Sequence, residues 1–403
     1  MTTGTAMNKS IATTAVIAIG ALALSGCSTL TASTRDDVVS PEASDVDPST
    51  TAVTNLDNTE NLKAGEKVKV TAKSPWVIER VTVGTATGDT DSTVTAPDSW
   101  SSTPLEPLQA TSYQVKMRNS STGETTVLSK KVVSGPATNT FTADLTPDLP
   151  KKGPTSYGVG IIPKVNFSKE VPTASRKAIT DRITATANNA PVAGSWRWLD
   201  STTAAFRPTT QFWPGHATIT LSGDLTNARI AGAKGKSDSW GKGTVATTFA
   251  TSRAMIINLN GRTTSGYATV DGKKVKKFGI SLGRPGFTTR SGIKTITDII
   301  RVQRMTNEGV TNTEQYDLQV PFAMRMTDTG EFLHGAPWNG NIGYANTSHG
   351  CSNLSYDVAS WFFNRVKYGD PVITTGTGRK METWNGPGAL WNIPYAKWAS
   401  VKT

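Results

Sequence analysis

The sequence predicts a mainly β protein, with two β-sandwich modules in series and then a third β-rich region that carries one main helix. Three observations lead there. Among many Ser and Thr, the 403 residues include 36 glycines and 21 prolines, and only 18% are charged, a mix that favours strands and turns over long helices. Short alternating runs follow one another closely, with turn residues between them. A helical apolar stripe stands out at one place, directly after residue 355.

The chain opens with Lys9 and an apolar stretch over residues 11–24, too short and wrongly flanked to span a bilayer, which ends in Leu24-Ser25-Gly26-Cys27. Residues 1–26 therefore read as a secretory signal. Small residues directly before a cysteine resemble a bacterial lipobox, which implies a lipidated Cys27 at the start of the mature chain. The expected location is the cell membrane, lipid-anchored, facing the cell wall or periplasmic space. Residues 27–59 are rich in Ser, Thr, Asp and Pro without apolar periodicity, and read as a disordered tether.

The first module is expected over 60–150. Residues 67–71 and 112–117 alternate, 126–128 and 139–143 add strands, and Pro147, Pro150 and Pro154 suggest a boundary. A second module over 151–250 opens at 157–163 and continues through 195–199, 203–208 and 216–221. Neither module gathers titratable residues, and His216 reads as structural. Both look like spacers or binding surfaces.

The third region, 251–376, starts with a strand near 255–259. Residues 267–281 read as two strands joined by Asp271-Gly272, a two-residue hairpin signal. Further strands are expected at 317–327, 331–334 and 371–374. The helix begins at Ser355, a good N-cap, with Asp357 in its first turn, Val358, Trp361, Phe362 and Val366 on one face, and Gly369 to end it. The tail, 377–403, spaces Trp384, Trp391 and Trp398 by seven, as anchors that pin the C-terminus to the third region.

The net charge of +11 suits an acidic partner. No RNA-binding signature appears, so an anionic cell envelope ranks ahead of nucleic acid. Of the two cysteines, the lipobox uses Cys27, which leaves Cys351 as an unpaired thiol in a compartment that favours disulfides. Two of the three histidines lie within twenty residues of it, in His334-Gly335-Ala336-Pro337-Trp338 and Ser348-His349-Gly350-Cys351-Ser352-Asn353.

A thiol becomes a strong nucleophile when an imidazole takes its proton, and a helix N-terminus just beyond Cys351 is expected to favour the thiolate. Gly350 permits a close backbone approach, so the Gly350 and Cys351 amides are candidate oxyanion donors. His349, two residues from Cys351, leaves little room for a substrate between them. His334, on a separate strand, approaches from across the site, and the Gly335 carbonyl is placed to fix its tautomer. His334 is therefore the expected base and His349 an orienting residue. Zinc is the competing reading, but His349-Gly350-Cys351 is tighter than usual ligand spacing and no carboxylate accompanies it, so no metal is expected.

Ser348-His349-Gly350-Cys351-Ser352-Asn353 is similar to the S-H-G-C-x-N signature of the L,D-transpeptidase family, whose catalytic fold is called YkuD, and 334–338 resembles that family's upstream motif. The full arrangement resembles actinobacterial members: lipobox, tether, two immunoglobulin-like modules, a YkuD-type catalytic domain and a Trp-rich tail. The resemblance implies Cys351 as nucleophile, His334 as general acid/base, a backbone-carbonyl role for Gly335, and substrate contacts from Asn353, Tyr316, Thr329 and Gly330. Ser348, His349 and Trp338 join that substrate-binding set as members of the two motifs. It further implies cofactor-free 3→3 cross-linking of peptidoglycan stem peptides, donor and acceptor, and acylation by carbapenems. An L,D-carboxypeptidase and a non-catalytic wall-binding lipoprotein are the alternatives. One departure, Thr288-Thr289-Arg290-Ser291-Gly292 where many relatives have T-P-x-G, leaves the shape of the loop over the site open.

Overall fold

The computed structural model describes residues 46–55, 62–147, 156–306 and 315–400. The signal segment, Cys27 and most of the tether lie outside the described residues.

The first module is a sandwich. A four-stranded antiparallel sheet runs in the order Gly88–Ser92, Trp76–Thr85, Ala110–Asn119, Thr125–Val133, and faces a three-stranded sheet of Ala52–Thr54, Lys69–Ala72 and Ser99–Ser101. Exposed and buried residues alternate along the whole of Ala110–Asn119, so one face meets the core at Tyr113, Val115 and Met117. Ala52–Thr54 corrects the tether reading, because its backbone pairs antiparallel with Lys69–Ala72 and Ala52 is buried in that core. Ten residues assigned to the tether, 46–55, are thus folded onto the first module at the sheet edge.

The boundary near 150 is corrected too. Ala143–Thr146 pairs with Lys164–Phe167, and Thr140–Phe141 pairs parallel with Ser239–Gly241, so both strands belong to the second module. The reason is apolar: Phe141 and Leu145 find their partners in the second core, where the Phe141 ring meets Phe167 edge-on with centroids 6.2 Å apart. Pro147 directly follows Ala143–Thr146, the outer strand of a second-module sheet. A short helix, Thr173–Thr180, went unanticipated. The stretch 157–163 forms no strand beyond one bridge, Tyr157 with Thr251.

The third region holds a six-stranded sheet ordered Lys273–Gly279, Ser265–Val270, Met255–Asn260, Pro371–Thr375, Arg290–Thr295, Arg379–Lys380. A four-stranded sheet, Asp298–Thr306, Asp317–Arg325, Phe332–Gly335 and Ser352–Leu354, shares a core with it through Ile257, Leu259, Met324, Leu333 and Leu354. Asp271 and Gly272 both take positive φ, as the expected two-residue hairpin requires. The helix Tyr356–Phe363 starts as expected, with the Ser355 hydroxyl accepting from the Val358 N–H. It ends at Asn364, a turn and a half before Gly369, whose positive φ (84°) instead serves the turn into Pro371–Thr375.

Tail anchoring differs from expectation. Trp391 and Trp398 are buried with Ile162, Ala205 and Ile293, so this small core is shared by the second module and the third region. The Trp391 Nε1–H donates to the Gly160 carbonyl (2.7 Å) and the Trp398 Nε1–H to the Ser195 carbonyl (2.9 Å). Between the two rings lies the Arg207 guanidinium, 4.5 Å and 4.8 Å from their centroids. Burial brings Arg207 down to about 10, which leaves it charged at neutral pH. Trp384, mostly exposed, takes no part. His216 bonds Asp271 across the same junction (3.0 Å), in keeping with a structural role.

Candidate active site

Two neighbouring strands build the site. Phe332–Gly335 and Ser352–Leu354 run parallel, pairing Leu333 with Ser352, His334 with Asn353 and Gly335 with Leu354. Parallel neighbours need a crossover, and residues 336–351 supply it without a helix. That crossover carries Trp338 and Asn339 and ends in the Ser348–Cys351 turn, where Gly350 adopts φ 120°. An open cleft of about 980 Å³ lies over the two strands, lined by His334, Cys351, Asn353, Tyr316, Thr329, Gly330, Trp338, Ser348 and His349.

A relay of side-chain bonds fixes the His334 tautomer. The Gly335 carbonyl can only accept, so the 2.8 Å contact places the ring proton on Nδ1. At the other end the Asn341 backbone N–H can only donate, and it donates to Asn339 Oδ1 (3.0 Å). The Asn339 amide nitrogen then donates to Asn353 Oδ1 (3.0 Å), and the Asn353 amide nitrogen to His334 Nε2 (2.9 Å). Every proton along the chain is set by its two ends, and Nε2 is left unprotonated, its lone pair accepting from the Asn353 amide. Burial lowers His334 to about 4, against the opposing pull of the Gly335 carbonyl, so the ring is neutral at pH 7.

Cys351 sits half-buried on the cleft floor. Its Sγ–H donates to the Gly330 carbonyl (3.7 Å), and the Phe332 backbone N–H faces the sulfur. Burial pushes the thiol up to about 11. The resting pair is therefore neutral thiol and neutral imidazole.

Two sequence expectations are corrected here. The strand Ser352–Leu354 separates Cys351 from the helix, whose first residue is Tyr356, so the helix dipole does not act at the thiol. The Gly350 N–H already donates to Ser348 Oγ (3.1 Å), whose own proton goes to the Cys351 carbonyl (2.6 Å). Of the two proposed oxyanion donors, the Cys351 amide is the one that remains. Gly350 and Gly335 act through their backbones and do not line the cleft. Asn353, expected against substrate, is buried and bonded to His334 and Asn339.

His349 faces elsewhere. Its Nε2 accepts from the Arg284 guanidinium (2.8 Å), and its ring meets Phe287 (4.9 Å) and Tyr316 (5.2 Å). That lone pair faces a fixed positive charge, which opposes uptake of a proton, whereas the donor at His334 Nε2 is the neutral Asn353 amide. Among the described residues no group of three or more His, Cys, Asp and Glu side chains is placed to hold a metal ion.

Sequence reasoning missed Asn339, Thr289, Arg290, Lys294 and Glu331. Thr289 is fully buried; its hydroxyl donates to the Gly350 carbonyl (2.8 Å) and accepts from the Gly283 N–H (2.8 Å), so the departing 288–292 stretch packs beneath the nucleophile turn. Lys294 stands between Ile293 and Thr295, neighbours that carry no signal of a buried charge.

Comparison with known proteins agrees with this architecture. Residues 252–374 match the YkuD profile, the L,D-transpeptidase catalytic domain, and residues 59–229 match Big_10, a bacterial Ig domain. L,D-transpeptidase 2 of Mycobacterium tuberculosis (strain CDC 1551 / Oshkosh) is 30% identical over 247 residues, 60% of this chain and 58% of that one, so the chain spans under two thirds of that relative. A probable L,D-transpeptidase 3 of Mycobacterium tuberculosis (strain ATCC 25618 / H37Rv) is 27% identical over 56% of this chain and 84% of its own. The solved structure of an L,D-transpeptidase from Mycobacterium smegmatis is 29% identical, covering 58% of this chain and 99% of its own, with TM-score 0.45.

Proposed function

We propose that this chain, which carries a YkuD L,D-transpeptidase catalytic domain behind a bacterial Ig region, is a peptidoglycan L,D-transpeptidase forming 3→3 cross-links through a Cys351 thioester. One observation carries the reading: a tautomer-fixed neutral imidazole on one strand and a thiol in the turn that leads into the adjacent parallel strand open onto one cleft.

The donor stem lies along the cleft against Tyr316, Thr329 and Gly330. The thiol turns from the Gly330 carbonyl toward His334, whose Nε2 takes the proton as sulfur attacks the carbonyl after the third stem residue. The Cys351 amide faces the developing oxyanion. The bond to the terminal D-Ala breaks, and the proton on Nε2 passes to the leaving amine. In the second step His334 takes a proton from the diamino-acid amine of an acceptor stem. That amine attacks the thioester, and Cys351 leaves as thiol with the proton returned by His334. The Gly335 carbonyl holds the ring at Nδ1 throughout, and the Asn353 amide gives up Nε2 whenever that nitrogen carries a proton. Carbapenems acylate the same sulfur through their strained lactam carbonyl.

Incubation with a tetrapeptide muropeptide, followed by mass spectrometry, tests this. Cross-linked dimer with release of D-Ala is the expected product. Trimmed tripeptide alone indicates a carboxypeptidase, with water in place of the acceptor, and no change indicates a wall-binding role. The anchor belongs to the same proposal: Cys27→Ala is expected to release the protein from membranes with its soluble activity intact, and continued membrane retention refutes lipidation.

A further inference from the structure

The strand Arg290–Thr295 delivers two cations into the protein interior directly behind Cys351. Lys294 has a fully buried side chain, and its Nζ lies 2.7 Å from Glu331 Oε2. Arg290, 11% exposed, gives Nη1 to Glu331 Oε1 at 2.9 Å, and its backbone N–H reaches the same oxygen at 3.1 Å. On its other side Arg290 pairs with Glu382 of the C-terminal tail.

Glu331 stands at the centre of the segment that touches the sulfur. The residue before it, Gly330, supplies the carbonyl that accepts from the thiol, and the residue after it, Phe332, supplies the N–H that faces the sulfur. Glu331 is also tied at its backbone, where its N–H donates to the Thr327 hydroxyl (2.8 Å) and its carbonyl accepts from the Met326 N–H (2.9 Å). Just before the same strand, Thr289 holds the Gly350 carbonyl. One stretch, 289–294, therefore grips both backbone segments that frame Cys351.

Stability alone gives little reason for this arrangement. Removing a lysine and a glutamate from water costs several kcal/mol per ion, and well-packed apolar residues of similar volume serve a core as well or better. A buried charge beside a nucleophile has a different use, since in a low-dielectric surrounding it acts strongly on the thiol.

We propose that Glu331, Lys294 and Arg290 form a buried charge clamp that positions the 330–332 segment against Cys351 and balances the field at its sulfur. They are positioning residues, and the inference rests on the reading of Cys351 as nucleophile. The two signs oppose each other at the thiol: Glu331 disfavours the thiolate, while Lys294 and the nearby Arg325 favour it. Removal of either partner therefore shifts thiol reactivity, in opposite directions.

The test is the rate of Cys351 alkylation by iodoacetamide between pH 8 and 10, read by peptide mass spectrometry on the otherwise intact chain. Lys294→Met is expected to slow alkylation about tenfold at fixed pH, and Glu331→Gln to speed it about tenfold, each equivalent to a thiol shift of roughly one pH unit. Glu331→Gln keeps Oε1 as an acceptor for both Arg290 donors, so if Lys294→Met does not fold, this second variant decides the matter. Opposite shifts, or faster alkylation in Glu331→Gln alone, support the clamp. Unchanged rates, or shifts in the same direction, overturn it. Because alkylation needs no peptidoglycan, a failure of the proposed acyl transfer leaves this readout intact, whereas an inert wild-type Cys351 refutes the nucleophile assignment itself.

Discussion

Replacing His334 with alanine separates proton transfer from every other contribution to the site. With the wild-type thiol at about 11 and the imidazole at about 4, the gap is roughly 7 pKa units. Treated as independent sites, at 1.36 kcal/mol per unit, moving the proton before attack costs on the order of 9–10 kcal/mol. Attraction within the resulting ion pair offsets part of this, and the two groups titrate as one coupled system. Proton transfer is therefore expected to accompany attack, with His334 as base. Its ring is already neutral above about pH 5, so wild-type carbapenem acylation should stay nearly flat from pH 5 to 9. In His334→Ala only preformed thiolate reacts, about 10⁻⁴ of the molecules at pH 7 for a thiol near 11. The expected loss at pH 7 is about 10²–10⁴-fold. Acylation should then climb tenfold per pH unit up to about pH 10, recovering about 10³-fold. The variant also leaves the Asn353 amide and the Gly335 carbonyl without their ring partner, at about 1–3 kcal/mol each, so calorimetry accompanies the kinetics. Stopped-flow loss of lactam absorbance gives the rates, and intact mass confirms the adduct. A flat pH profile in a folded His334→Ala protein refutes the reasoning, as does a tenfold-per-unit rise in the wild type. A fast His334→Ala paired with a slow, stably folded His349→Ala reverses the assignment.

Three further perturbations follow from the same contacts. Asn339→Ala removes the donor that orients Asn353 and is expected to slow acylation about tenfold in a folded protein; an unchanged rate removes the relay from the mechanism. In Glu382 burial raises the carboxyl, but its own backbone N–H and bonds from Arg379, Arg290 and Asn385 outweigh this and bring it down to about 2. A depressed carboxylate adds stability that is present above about pH 4.5 and lost as pH falls toward 2. After discounting for its 30% exposed side chain, Glu382→Gln should cost about 1–3 kcal/mol at pH 7 and nearly nothing near pH 2, as read by denaturant melts across that range. Finally, a fragment of residues 251–403 strips Trp391 and Trp398 of Ile162 and Ala205, and should melt lower and aggregate, while 136–403 keeps the shared core and folds. Equal melting temperatures for the two fragments contradict that junction.

The sequence was legible where a local rule acts. Asp271-Gly272 dictates a two-residue hairpin because both residues tolerate positive φ, and Ser355 caps the helix because its hydroxyl reaches the Val358 N–H three residues on. The Gly335 carbonyl was anticipated as the partner of His334 Nδ1 for the same reason, since the two groups belong to neighbouring residues. The helix end was misplaced at Gly369, because a glycine able to cap a helix serves equally well in the turn before Pro371–Thr375.

By itself the sequence determined the mainly β class, the series of modules, the helix of the third region with its N-cap, and the thiol and histidines as the chemical groups of interest. These depend on periodicity, turn chemistry and residue type, all carried within short windows of chain. Only the tertiary structure decided the module to which 140–146 belongs and the way the tail joins the second module to the third region. It also placed Cys351 against the Gly330 carbonyl, beyond reach of the helix dipole. Asn339 meets Asn353 across 14 residues, and Arg290 meets Glu331 across 41. A lysine between Ile293 and Thr295 gives no indication of its counter-ion, because burial becomes tolerable only when a distant carboxylate folds onto it. Charge pairing inside a core is a property of the assembled sheets, and a linear pattern does not contain it.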